Sequence, residues 1–139
     1  MAIVDGFTSS FKRESIEGVH DFRTDVLKIA LYDETASLNA ATTVYTTTGE
    51  VTGTGYTAGG KTLTVTAPSI IGTTAIADFA DVTWSTATIT ARGALIYNSS
   101  QGNKVIRVLD FGLERIKIAT NFVVTFPTPD ELNAVIRIV

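Results

Sequence analysis

The sequence predicts an all-β fold: an antiparallel β-sandwich, jelly-roll-like, carrying one short N-terminal helix. Three observations carry that expectation. From Thr24 onward apolar residues recur at every second position, in about eight short segments spaced roughly 8–12 residues apart by turn-forming residues. The chain contains 23 threonines, a β-branched residue that suits pleated, half-buried surfaces better than helices. Only one segment, near the N-terminus, is punctuated as a helix at both ends.

That helix is expected from Thr8 to Gly18, with Thr8, Ser9 and Ser10 as possible N-caps and Gly18 as the stop. Phe7, Phe11, Ile16 and Val19 make only a partial apolar stripe, so the helix should pack on something larger. Residues 1–23 are accordingly assigned to an arm and helix, and 24–139 to the sandwich. In TDVLKIALYDE, Leu27, Ile29 and Leu31 face one side while Val26, Lys28, Ala30 and Tyr32 face the other. KTLTVTAP (61–68) alternates likewise between threonines. Further strands are expected at 73–79, 81–98, 103–112, 114–119, 121–127 and 133–139. Turns are expected at Gly59-Gly60, Pro68-Ser69, Gly72-Thr73, Asn98 to Asn103 and Pro127 to Asp130. Arg92-Gly93 interrupts the long strand at its middle, where glycine marks a bulge or bend.

At 139 residues the chain fits one domain and is long enough to bury a real core. Its net charge of −3 offers no electrostatic reason to bind a phosphate backbone, so nucleic acid is not an expected partner. The absence of cysteine excludes disulfides, thiolate metal ligation and cysteine nucleophiles. No apolar run approaches a membrane span, and MAIVDGFTSSFKRE lacks the basic-then-apolar order of a signal peptide. A soluble product, neither membrane-bound nor exported by that route, is the expectation.

The stretch GYTAGGKT (55–62) spells a Walker A phosphate loop, with Lys61 and Thr62 as its functional pair. Such a loop needs a buried parallel strand before it and a helix starting at the lysine. Here period-two sequence follows instead and reaches Pro68 within six residues of Thr62, so a glycine-rich hairpin turn is expected. A Walker B candidate ends at Asp110, but Arg107 interrupts its apolar run. His20, the sole histidine, stands next to Asp21 without a GxSxG elbow, which favours a polar connection over a catalytic triad. Asp78 to Asp81 lacks the spacing and central glycine of a calcium loop, and one histidine cannot make a transition-metal set. No catalytic residue, cofactor or metal is therefore assigned. The sequon Asn98-Ser99-Ser100 reads as a turn, and Trp84 as a core residue sharing a face with Val82.

Between Thr35 and Ala77 only Glu50 and Lys61 carry charge, although tyrosines are retained. Charge depletion with Tyr kept is the composition of a covered interface. TTVYTTTGEVTGTGYTAGG is thus expected to be covered either by another chain, with Tyr45 and Tyr56 as contacts, or by the protein itself. Phe7, Phe11 and Ile16 on the arm form a second candidate protein interface.

The string FKRESIEGVHDFRTDVLKIALYDETASLNAATTVYTTTGEVTGTGYTAGGKTLT, followed by FADVTWSTATITARGALIYN, resembles small structural proteins of tailed bacteriophages over nearly the whole chain. TGYTAGGKTL and VTWSTATITARGALIYN carry most of the likeness, because their residue order exceeds what a β-pattern requires. Within that group the chain is most similar to capsid cement or decoration proteins. This resemblance implies a β-sandwich body, self-association as a homotrimer, contacts with the major capsid protein and a place on the virion exterior, with no catalytic residues to carry over. Other head, neck or tail proteins, or a carbohydrate-binding sandwich stacking sugars on Trp84, Tyr45 or Tyr56, are the alternatives.

Overall fold

The helix forms where its punctuation stands. Thr8 accepts the Phe11 amide on its side chain and Gly18 closes the helix in the left-handed conformation at φ 74°. In the computed structural model, which describes residues 2–127 and 134–138, this is α1 (Ser9–Glu17). Its Phe11 and Glu14 face inward. The strands are β1 (Gly6–Phe7), β2 (Leu27–Tyr32), β3 (Lys61–Thr62), β4 (Val65–Ile71), β5 (Thr74–Phe79), β6 (Val82–Asn98), β7 (Lys104–Val124) and β8 (Ile136–Ile138).

They form two antiparallel sheets, one of five strands in the order β1-β7-β6-β2-β3 and one of three in the order β4-β5-β8. The architecture is all-β and sandwich-like: Leu27, Ile29, Trp84, Ile106 and Phe122 from the large sheet share one core with Ala77, Phe79 and Ile136 from the small one. Burying those side chains drives the two layers together, at about 1.5–3 kcal/mol for each large apolar group.

The alternation read in β2 corresponds to two separate environments. Leu27, Ile29 and Leu31 enter the inter-sheet core, while Ala30 and Tyr32 enter a second cluster with Leu95, Tyr97, Val105 and Val108 on the opposite face. Ala36, Leu38 and Tyr45 of segment 33–60, with Ile3 from the N-terminus, cover that second face, whereas Val51 and Tyr56 of the same segment pack into the inter-sheet core; bridges at Ile3–Leu38, Tyr32–Glu50 and Val44–Lys104 hold the segment.

Three expected elements differ. KTLTVTAP is not one strand: Lys61–Thr62 joins β2 in the large sheet, and β4 begins at Val65 in the small one. Pro68-Ser69 is no turn but lies within β4. Proline is tolerated there because β4 is an edge strand and its register skips between Thr66 and Ser69. Residues 103–112, 114–119 and 121–127, expected as three strands, belong mainly to the single bent strand β7. Between the pairs Gly93–Asp110 and Ala91–Arg115, β7 advances farther than β6, and Gly112 at φ 83° absorbs the surplus. The register breaks opposite Arg92-Gly93, where an irregularity is expected, but the extra residues that make the bulge are on β7 and not on β6. A side chain on Gly93 would meet the Leu109 carbonyl at 2.5 Å. Of the last expected turn, 128–130 lie outside the described residues, as do residues 133 and 139 of the last expected strand.

Candidate functional site

The phosphate-loop letters occupy a turn between extended segments. Gly60 sits at φ 78° with the Ile29 carbonyl 1.7 Å from where a Cβ would be, so only glycine fits against β2. Lys61 opens β3 and no helix follows it. Its ammonium donates to the Thr83 carbonyl at 2.6 Å and lies 5.9 Å from the Trp84 ring centroid. The Gly59 amide, which a phosphate loop would turn toward its ligand, donates instead to Glu50 Oε2 at 2.8 Å. The anion held by this loop is the chain's own carboxylate.

Glu50 is the centre of a polar cluster. Tyr45 donates its hydroxyl to Oε1 and Tyr56 to Oε2, while Tyr56 also accepts the Leu31 amide at 3.0 Å. Tyr97 stacks on Tyr45 with centroids 4.8 Å apart and donates to the Gly59 carbonyl at 2.6 Å. Tyr32 donates to the Thr46 carbonyl. All four tyrosines of the chain thus converge here. Burial, reinforced by the Glu50 charge, pushes every one of their hydroxyls up, Tyr97 to about 12. The cluster pins the covering segment to the sheet, and each donor named is already engaged with a partner in the same chain.

A second cluster ties α1 to the β6–β7 turn. Glu14 and the His20 side chain are both buried, and Glu14 Oε1 lies 2.9 Å from His20 Nε2. Asn98 Oδ1 accepts the Ser100 amide, which leaves its Nδ2 to donate to His20 Nδ1 at 2.9 Å and to Asp25 at 2.8 Å. His20 consequently accepts on Nδ1 and donates from Nε2, with both ring nitrogens occupied. Burial raises the Asp25 carboxyl, but hydrogen bonds from the Asp21 amide, Asn98 and Gln101 outweigh it and hold the group below the usual carboxylate range. Asp21 pairs with Arg23 rather than with His20. Asp110 accepts from Arg92 at 3.0 Å, and that contact keeps its carboxyl low.

The sequence-predicted interface residues separate into different environments. Phe11 is a core residue, 3% exposed; Phe7 is half-buried, stacked on it at 5.2 Å beneath the Arg107 guanidinium. Tyr45 and Tyr56 are half-buried with their hydroxyls turned to Glu50. Ile16 alone stands free, 90% exposed. Trp84 is buried in the core beside Phe122. The three rings that a sugar platform would use are therefore turned inward or engaged. Sequence reasoning missed Glu50, whose one signal was its position as the sole carboxylate of a neutral stretch, and Asn98, masked by its sequon. Among the described residues no group of three or more His, Cys, Asp or Glu could hold a metal ion, and no helix is long and apolar enough to cross a membrane. Compared with protein families, curated proteins and solved structures, the chain finds no match.

Proposed function

We propose that this protein is a non-enzymatic structural component of a tailed-phage virion, nearest to the capsid cement or decoration proteins. In this role it binds the outside of the head across subunit boundaries, with the major capsid protein and further copies of itself, as a homotrimer, for partners. Neither nucleic acid nor membrane is a partner in this reading. The resemblance of TGYTAGGKTL and VTWSTATITARGALIYN to such proteins motivates it, and the finer jelly-roll-like description of the body belongs to it.

One structural observation supports it most. Tyr45 and Tyr56 of the covering segment turn their hydroxyls inward to Glu50, while uncharged threonines and glycines predominate on its exposed surface from Thr35 onward and the body exposes Leu113, Ile116 and Ile118 along β7. Apolar side chains grouped on one strand of a soluble surface mark an adhesive region. A shell-bound clamp stabilises the shell by mass action, in proportion to how much more tightly it binds the assembled form.

The test is co-sedimentation of the purified protein with heads assembled from major capsid protein alone. Saturable binding with a fixed stoichiometry, and a rise in the temperature at which the heads open, are expected. Binding to isolated tails or necks instead would keep the virion role and move its position; binding to none of the three would end the proposal.

A further inference from the structure

An open groove of about 600 Å3 runs along the outer side of β6 and β7, between that hairpin and the segments at 33–35 and 51–52. Its apolar lining includes Ile116 and Ile118, which are 59% and 73% exposed, beside the buried Val51 and Ile89. Asp33, Glu34 and Glu114 line it with one cation, Lys117, and Arg92, bonded to Asp110, lies near enough to Glu34 and Glu114 to feel both charges. Beside it β7 offers an open edge, since β1 pairs with β7 only at Arg107 and Val108. The groove is thus apolar at its base and negative at its rim.

The complementary surface is on the same chain. The outward face of α1 carries Lys12 and Arg13, with Ile16 one turn on, the most exposed large apolar side chain described. Positions 12, 13 and 16 fall on one helical face, opposite the buried Phe11 and Glu14. Among the described residues Arg13 is held only by a 3.6 Å surface contact to Glu17, with the Arg13 side chain 70% exposed. A contact of that kind is weak and easily exchanged for a better one.

We propose that the groove receives helix α1 of a second copy of this chain, Ile16 seating over Ile116 and Ile118 while Lys12 and Arg13 face Glu34 and Glu114. Helix and groove are different surfaces, so the contact is heterologous, and repeated about an axis it closes into a ring. This deepens the proposed function by specifying how copies join, and it rests on that reading only for its biological setting. Charge complementarity at the rim sets register and association rate, and the isoleucines supply the desolvated centre.

Analytical ultracentrifugation of the full chain tests it with two charge-reversed variants, Lys12→Glu/Arg13→Glu and Glu34→Lys/Glu114→Lys. All four positions are on the surface, and circular dichroism checks that both variants keep the fold. The wild type is expected to form a discrete cyclic oligomer that loosens with salt, and each variant alone to weaken association by at least about tenfold. Mixed one to one, the variants should reassociate, because each supplies a partner of opposite charge. A monomeric wild type, as expected if the groove serves a basic peptide of another protein, overturns the inference; so do variants that assemble as the wild type does, or a mixture that stays apart. Heads that bind a monomeric protein would sink this inference and leave the virion role standing, whereas rings that never bind virion parts would do the reverse.

Discussion

On one face of the five-stranded sheet, Leu27, Ile29, Trp84 and Phe122 pack against the small sheet in an apolar core, and every contributing strand shows its periodicity. On the other, Tyr32, Leu95 and Tyr97 are closed over by Ala36, Leu38 and Tyr45 of segment 33–60, which has no lasting period; hydroxyl and amide donors converging on Glu50 anchor the segment, and its Tyr56 reaches round to stack on Trp84 in the first core. The first face is held by area and the second by a polar anchor set into an apolar cover. The difference teaches that charge depletion has two origins. A segment sheds charge when another chain covers it, and equally when it covers its own sheet, because an unpaired charge next to buried surface costs several kcal/mol in either setting. Here the inner side of the segment is accounted for by its own sheet, and its outer threonines remain available to a partner.

The contrast breaks most sharply at Trp84. Trp84→Ala should destabilise the protein by about 3–5 kcal/mol, measured by denaturant unfolding, since it opens a cavity between the sheets. A loss below about 1 kcal/mol would mean that the apolar face is not the main support. Glu50→Ala comes next, at about 2–4 kcal/mol, because Tyr45, Tyr56 and Gly59 lose their acceptor together. Hydrogen exchange should quicken at Tyr56, Gly59 and Gly60 and stay slow at Phe122; uniform quickening across both faces would erase the distinction.

Alkaline pH probes the polar face without mutation. The tyrosines have raised values in the folded state, so the stability they contribute is complete below the unfolded value of about 10 and is lost as pH rises beyond it. Tyrosinate absorbance should therefore appear late and together with the loss of circular dichroism. Independent, gradual ionisation near pH 10 in a still-folded protein would show the hydroxyls to be free of Glu50. The smallest effect is expected at Lys61→Ala, within the roughly 0.5 kcal/mol usual for surface positions. Calorimetry with magnesium and ATP should give no binding heat for either protein, and heat in the wild type that the variant lacks would restore the nucleotide reading.

Much of the fold was legible because its signals are local. The Thr8 and Gly18 caps delimit α1, β6 matches its expected span almost to the residue, and Gly93 marks the place where its register with β7 breaks. The errors came where neighbours decide. β4 runs through Pro68 because it is an edge, and β7 continues past Gly112 and Ala119 because β6 pairs with it on both sides of each kink. Of the candidate site, the turn at Gly59-Gly60 could be read from its glycines. The destination of the Gly59 amide could not, because Glu50 reaches it only after the segment has folded back over the sheet.

By itself the sequence determined the all-β class, the one α-helix, the hairpin around Asn98 and the glycine turn within the phosphate-loop letters. Each of these depends on period, caps and φ preferences confined to a few residues. Only the tertiary structure decided that Tyr45 and Tyr56 share the Glu50 carboxylate while Tyr32 and Tyr97 donate to carbonyls beside it, that His20 is locked between Glu14 and Asn98, and that Ile16 is left in solvent while Phe11 is not. His20 meets Asn98 and Tyr97 meets Gly59 across long stretches of chain, and the burial that raises the tyrosine hydroxyls exists only once the sheets and their cover have closed.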